Sequence, residues 1–193
     1  MNTPGQRKAP PSFFSVRNLS DVGALALGGG HHRSLTGEYR GGKRRKGREI
    51  VLQSMYASLI SGGQLKDVLE DQLSRRESAD ETSEFALDLA KKVKINADDI
   101  ESWLRSLVSS NWDPSRLGTL EIVILSMGLA ELRYSPEVPW RVVINEACEL
   151  ARRYCDENAV GFVNGVLDKA ASETYPDRSG SADPSPPAVE EDS

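Results

Sequence analysis

The stretch LGTLEIVILSMGLAELRY, residues 117–134, decides the fold. At 3.6 residues per turn its apolar side chains surround the axis on most sides, and a helix with no wide polar face has to be buried. This segment therefore reads as the central helix of an all-helical body. Its longest uninterrupted apolar run, Ile122 to Leu125, is far short of the roughly 18–20 residues that cross a bilayer.

Amphipathic helices surround it on both sides. Upstream, the spacing predicts a helix from about Arg44 to Ile60, with Val51, Leu52, Met55, Tyr56 and Leu59 on one stripe and Gly62-Gly63 as its stop. A second helix carries Leu65, Val68, Leu69 and Leu73, and a third carries Phe85, Leu89 and Val93. A fourth carries Ile100, Trp103, Leu104, Leu107 and Val108, with Asn96 placed to cap it. Downstream, Pro139 suits the first position of a helix holding Val142, Ile144, Ala147, Leu150, Ala151 and Tyr154. The last helix carries Val160, Phe162, Val163, Val166, Leu167 and Ala170. The sum is a compact all-α bundle of about seven helices without internal repeat.

Composition frames this body with two polar tails. The hydrophobic share, 38%, lies below the usual ~45–50% of globular chains. Residues 1–42 are broken by Gly28-Gly29-Gly30, Gly41-Gly42 and several prolines, and read as a disordered leader. Residues 176–193 combine Pro176, Pro184, Pro186 and Pro187 with a closing acidic run, and read as a disordered tail. The folded domain is then residues 43–175. The leader has no compact apolar segment of the secretory type, so a cytoplasmic protein is expected; an organelle transit peptide is the alternative reading of this acid-poor segment. Cys148 and Cys155 lie about two helical turns apart, too far for a disulfide, and read as core thiols in a reducing compartment.

The net charge of −5 hides an asymmetry. Residues 1–48 hold 10 Lys or Arg against 2 acids, a net of +8, and the remainder holds 14 against 27, a net of −13. An acidic body with a basic arm points to nucleic acid. The cations concentrate at Lys43, Arg44, Arg45, Lys46 and Arg48, at the start of the first helix. RNA phosphates demand cations, and Arg adds a planar fork that pairs bidentately or stacks on bases. The bland alternative is a solvated helix end, which costs stability because positive charge opposes the macrodipole at an N-terminus.

Catalytic patterns are missing. Gly37, Gly42 and Lys43 nearly spell a phosphate loop, but Arg44 stands where the magnesium-binding hydroxyl belongs and no strand precedes it. The only histidines, His31 and His32, lie in the leader, so the body cannot build a histidine-based triad or a zinc site. No enzyme activity and no cofactor are expected. Asn145, Glu146 and Asn164 are polar on otherwise apolar helices, and suit either hydrogen bonds to neighbouring helix ends or a ligand contact. Trp103, Trp112 and Trp140 read as core or staple residues, while Phe162, at the margin of the last helix's stripe, has a ring that can also stack on a base.

Four segments in order resemble the NusB family: the Arg44–Glu49 run followed by Gln53 and Tyr56; Asn111-Trp112 with Arg116-Leu117; VVINEACELARRY, residues 142–154; and FVNGVLD, residues 162–168. The resemblance implies two small helical bundles and a role in transcription antitermination. The implied ligand is single-stranded boxA RNA of ribosomal RNA operons. The implied partners are NusE, a small-subunit ribosomal protein, and the RNA polymerase antitermination complex; no membrane is involved. RNA contacts carry over to Lys43, Arg44, Arg45 and Arg48, with Lys46 in the same cluster, and further to Phe162 and Asn164. NusE contacts carry over to Tyr56 and Glu121. The chain departs from the family pattern at Gly47, where alanine is usual, at Ser126 for arginine, at Ala130 for tyrosine, and at Ala159 for a capping serine whose place Asn158 can take. Two other readings share this fold class: a helical protein-interaction module whose basic arm only steers encounter, and the NusB-like domain of RNA cytosine methyltransferases without its catalytic α/β domain.

The tails supply the first test. Trimming the chain to residues 43–175 is expected to leave the thermal midpoint nearly unchanged. A midpoint lower by many degrees would show that a tail packs on the body.

Overall fold

A computed structural model describes residues 42–76, 78–108 and 117–176. The leader through residue 41, the Asn111–Arg116 part of the mid-chain loop, Trp112 within it, and the tail beyond Pro176 lie outside the described residues. Seven helices follow in order: α1 (Lys43–Ser61), α2 (Leu65–Arg75), α3 (Asp80–Ile95), α4 (Ala97–Leu107), α5 (Thr119–Tyr134), α6 (Trp140–Tyr154) and α7 (Glu157–Thr174). Helices α1–α3 pack together, α4–α7 pack together, and α5 also lies against α1 and α3. None of these helices is long and apolar enough to cross a membrane.

The central role of α5 follows from its composition: every residue from Val123 to Leu132 is buried. Gly128 lets it approach α7 closely, since a Cβ there would meet the Leu167 methyls at 2.8 and 2.9 Å. Ser126 and Ala130 both point inward. The Ser126 hydroxyl donates to the Ile122 carbonyl at 2.7 Å, so neither departure from the family pattern alters an exposed surface. Gly62 ends α1 in the left-handed region at φ 70°, and its N–H returns to the Ser58 carbonyl at 2.9 Å.

Three local expectations are corrected. Asn96 does not cap α4; its side-chain amide donates backward to the Lys92 carbonyl and so closes α3. Asp156, rather than Asn158, caps α7, its carboxylate accepting from the N–H groups of Asn158 and Ala159. On α6 the buried residue is Val143, with Val142 left exposed, because the inward stripe runs through Val143, Ile144, Ala147, Leu150 and Ala151.

An ionic contact joins the two bundles beside the apolar packing of α5 on α1 and α3. Arg48 of α1 is only 5% exposed. Its Nε donates to both Glu131 carboxylate oxygens at 3.0 Å, and its Nη1 lies 4.0 Å from Glu146 on α6. Its Nη2 sits 3.0 Å from Glu131 but is not aligned to donate, so one buried N–H stays unsatisfied. Burial pushes the Glu131 carboxyl above its ordinary value even with Arg48 beside it. Desolvation therefore outweighs attraction here, as is usual for buried pairs. The folded chain keeps the Glu131 proton to higher pH than the unfolded chain does. This group's contribution to stability thus falls as pH rises from the ordinary carboxylate range through its raised value.

Breaking the pair and replacing it should have different costs. Glu131→Ala, which strands the arginine, is expected to lose about 3 kcal/mol or more, while Arg48→Met combined with Glu131→Met should stay within about 1–2 kcal/mol of the parent. Denaturant melts at neutral pH measure both. Equal losses would show that the pair stabilises as well as orients.

Candidate nucleic-acid interface

The basic run lies on the first turn and a half of α1, where consecutive side chains project about 100° apart. Five adjacent cations therefore cannot all face one ligand, and the structure splits them. Lys43, Arg44 and Lys46 are exposed, Arg45 is half-buried and Arg48 is buried. Arg48, expected from the resemblance at the RNA, is buried with its guanidinium on Glu131. Arg45 turns toward α6, where Nε donates to both Glu146 oxygens at 2.9 and 2.8 Å and Nη2 makes a further short contact to Oε1. Glu146 thus closes onto a neighbouring helix end, which is one of the two roles its place on α6 allowed.

No acid of its own lies in the first turn of α1, and no side chain caps it. Compensation comes from other helices. Glu81, at the start of α3, pairs with Lys43 at 2.7 Å, and that contact raises the Lys43 pKa and lowers that of Glu81. Both groups are well exposed, so solvent keeps this pair weak. Further along α1, Glu49 accepts from the Tyr154 hydroxyl and pairs with Arg153 at 3.3 Å, while Gln53 donates to the same hydroxyl at 2.8 Å. Burial, then the Glu49 contact, push the Tyr154 phenol up to about 12. The inner edge of α1 is thus stitched to α6 by polar side chains from Arg45 to Gln53.

Phe85 of α3 fixes the outer edge. The guanidinium carbons of Arg48 and Arg44 lie 5.0 and 5.9 Å from its ring centroid, within cation–π range. Gly47 makes this approach possible, because a Cβ there would sit 2.7 Å from Phe85 Cδ1 and 3.3 Å from the Thr82 carbonyl oxygen. The departure from alanine at Gly47 therefore has a packing reason. Glu81, Phe85 and Glu131 were not singled out in the sequence. Glu131 left a trace there, a lone carboxylate in the apolar central run, whereas the contacts of Glu81 and Phe85 depend on how α3 docks.

The remaining expected residues are spread out. Phe162 is half-buried at the core margin of α7, and Asn164, two positions on, is exposed on another face. The two are not brought together. Asn164 instead accepts from the Cys148 thiol at 3.8 Å across the α6–α7 pair. Tyr56, 38% exposed, lies on the outer face of α1 with exposed Ile60 one turn on. Glu121 stands at the start of α5, where its carboxylate accepts from the Gly118 N–H at 2.8 Å. Among the described residues no group of three or more His, Cys, Asp or Glu is placed to hold a metal ion.

Residues 45–172 match the profile of the NusB family. The chain is 36% identical over 138 residues to the transcription antitermination protein NusB of Geobacter sulfurreducens, covering 71% of this chain and 99% of that one. It is 34% identical over 134 residues to the protein of the same name from Myxococcus xanthus, covering 67% and 95%. Among solved structures, T. maritima NusB superposes with a TM-score of 0.63 at 29% identity, covering 67% of this chain and 91% of that one. A crystal structure of the antitermination factors NusB and NusE with double-stranded RNA gives a TM-score of 0.61 over 68% and 97%, and at 23% identity it supports the fold alone. The match spans the described helices from α1 into α7 and nearly the full length of these relatives, so the chain belongs to the NusB family.

Proposed function

We propose that this NusB-family antitermination factor binds boxA-type single-stranded RNA of ribosomal RNA operons together with NusE, within the RNA polymerase antitermination complex, and makes its main phosphate contacts at the start of α1. The supporting observation is the division of the basic run. Arg45 and Arg48 spend their charge on Glu146 and Glu131, which holds the helix end in one place, while Lys43, Arg44 and Lys46 remain toward solvent. A cationic end whose backbone is already fixed binds without the ordering cost that a flexible basic tail would meet. Tyr56 and Glu121, on two helices that pack together, are the proposed NusE contacts. The working unit is residues 43–175. It acts in the cytoplasm as a binding protein, with no catalytic step and no cofactor.

Salt dependence tests the arm. Arg44→Ala combined with Lys46→Ala is expected to flatten the slope of log affinity against log salt by about 0.7 per lost contact on a boxA-like single strand. A similar flattening is expected on a scrambled strand, because phosphate contacts do not read sequence. A slope identical to that of the parent would remove the arm from the RNA site.

Phe162 is the second test. A half-buried ring that stacks on a base predicts that Phe162→Ala weakens RNA binding about tenfold while costing less stability than a full core deletion. A loss of about 3–5 kcal/mol in denaturant melts, with affinity falling only through unfolding, would make it a core residue instead.

A further inference from the structure

Two arginines and two carboxylates meet between α1, α5 and α6, and they are not matched one to one. Arg45 donates from Nε to both Glu146 oxygens at 2.9 and 2.8 Å. Arg48 donates from Nε to both Glu131 oxygens at 3.0 Å, yet its Nη1 also lies 4.0 Å from Glu146. That separation is too long for a hydrogen bond. The Arg48 Nη2 is buried without an aligned acceptor. Arg48 thus stands between two carboxylates with donors to spare, and Glu146 is shared by two cations. A shift of about 1 Å would bring Nη1 within donor range of Glu146. A cavity of about 10 Å³, lined by Arg48 and Glu131 with Ala147 on the α6 side, leaves room for that movement.

The negative charge of Glu131 is what holds Arg48 on that side, and it is the least secure charge of the four. Burial, and after it the Glu146 charge, oppose the ionised form, while Arg48 and Lys92 of α3 favour it; the net result is a carboxyl raised above its ordinary value. Lys92 has partners of its own, Asp88 at 2.8 Å and Ser135 at 2.9 Å. Glu81 and Asp99 behave oppositely: Lys43 holds the first, and Tyr134 with Arg133 the second, below the ordinary range. A neutral Glu131 still accepts a hydrogen bond but no longer attracts a cation. Glu146 is then the carboxylate left for both arginines. The Arg48 side chain is 6% exposed and has no access to water, whereas that of Arg45 is 29% exposed and has. The buried cation therefore takes the carboxylate, and the outer one loosens toward the face that presents Arg44 and Lys46. Folding does not oppose this protonation, because the folded chain keeps the Glu131 proton to higher pH than the unfolded chain.

We propose that these four side chains form a proton-operated latch on the arm: protonation of Glu131 passes Arg48 to Glu146, and Arg45 is released as a further phosphate contact beside Lys43, Arg44 and Lys46. The proposal rests on the RNA reading of the arm. Its test compares the full-length parent with Glu131→Gln, which keeps the shape of the carboxyl without its charge, on a boxA-like single strand. At neutral pH and about 0.1 M salt the variant is expected to bind about fivefold tighter, with a slope of log affinity against log salt steeper by ~0.7. As pH is lowered toward the ordinary carboxylate range the parent should approach the variant. His31, His32 and the RNA itself titrate in both, so the narrowing gap reads Glu131. In an Arg45→Ala background Glu131→Gln is expected to give no gain, a result that a merely structural role of Glu131 would not produce. Should Glu131→Gln fail to fold in a thermal melt, NMR titration of the parent reads the same exchange. The Arg45 Nε–H signal is then expected to move with the midpoint of the Glu131 carboxyl carbon. An Arg45 signal that stays fixed while Glu131 titrates, or an RNA affinity unchanged in Glu131→Gln, overturns the latch. Failure of the underlying RNA reading is distinguishable, since then the Arg44→Ala, Lys46→Ala pair would also leave RNA affinity unchanged.

Discussion

Two carboxylates withdrawn from water, Glu131 on α5 and Glu146 on α6, determine where the first helix lies. Each takes an arginine from the same turn and a half of α1, and each belongs to the C-terminal group of helices. Apolar packing between α1 and α5 would tolerate a helix shifted along or rotated about its axis. Hydrogen-bonded guanidinium–carboxylate contacts, with Nε of Arg45 and of Arg48 each donating to both oxygens of one carboxylate, tolerate much less, because donor and acceptors must stay close and aligned. The raised Glu131 pKa indicates that this geometry is held at some cost in stability. What it yields is a single docking position for the helix that carries the exposed cations.

The basic run therefore has two functions joined in one motif. Arg45 and Arg48, three positions apart, hold the arm while Lys43, Arg44 and Lys46 are presented, and the presenting set is cationic without acids of its own in the first turn. Positive charge at a helix N-terminus is unfavourable. Glu81, Glu131 and Glu146 offset it from three other helices, so the arm is tolerable only in the assembled fold. Tyr154, buried enough to hold its proton far above neutrality, continues the same seam by bonding Glu49 and Gln53.

Much of this was legible in the sequence, and what was not has a physical reason. Hydrophobic periodicity found all seven helices and the buried character of α5, since both signals are local and repeat many times within a segment. It misplaced Val142 and Asn96, where one residue of register or one alternative hydrogen bond decides the outcome. The five-cation run was visible as a charge cluster, but its division was not. Which cations turn inward depends on carboxylates roughly 80–100 positions away, and charge composition carries no record of such pairings. Glu146 was noticeable as a polar residue on an apolar helix, whereas Phe85 looked like any stripe residue.

The contact between Gly47 and Phe85 bears on how parts of this fold can be exchanged. An alanine at position 47 and a large ring at position 85 compete for the same space, so the two sites form a single unit of inheritance even though they lie on different helices. A hybrid that took its first helix from a relative with the usual alanine, and kept this chain's third helix, would have the arm levered outward at the turn that carries Arg44 and Arg48. Grafts of this arm onto another body, or of another arm onto this one, are compatible only if both positions travel together.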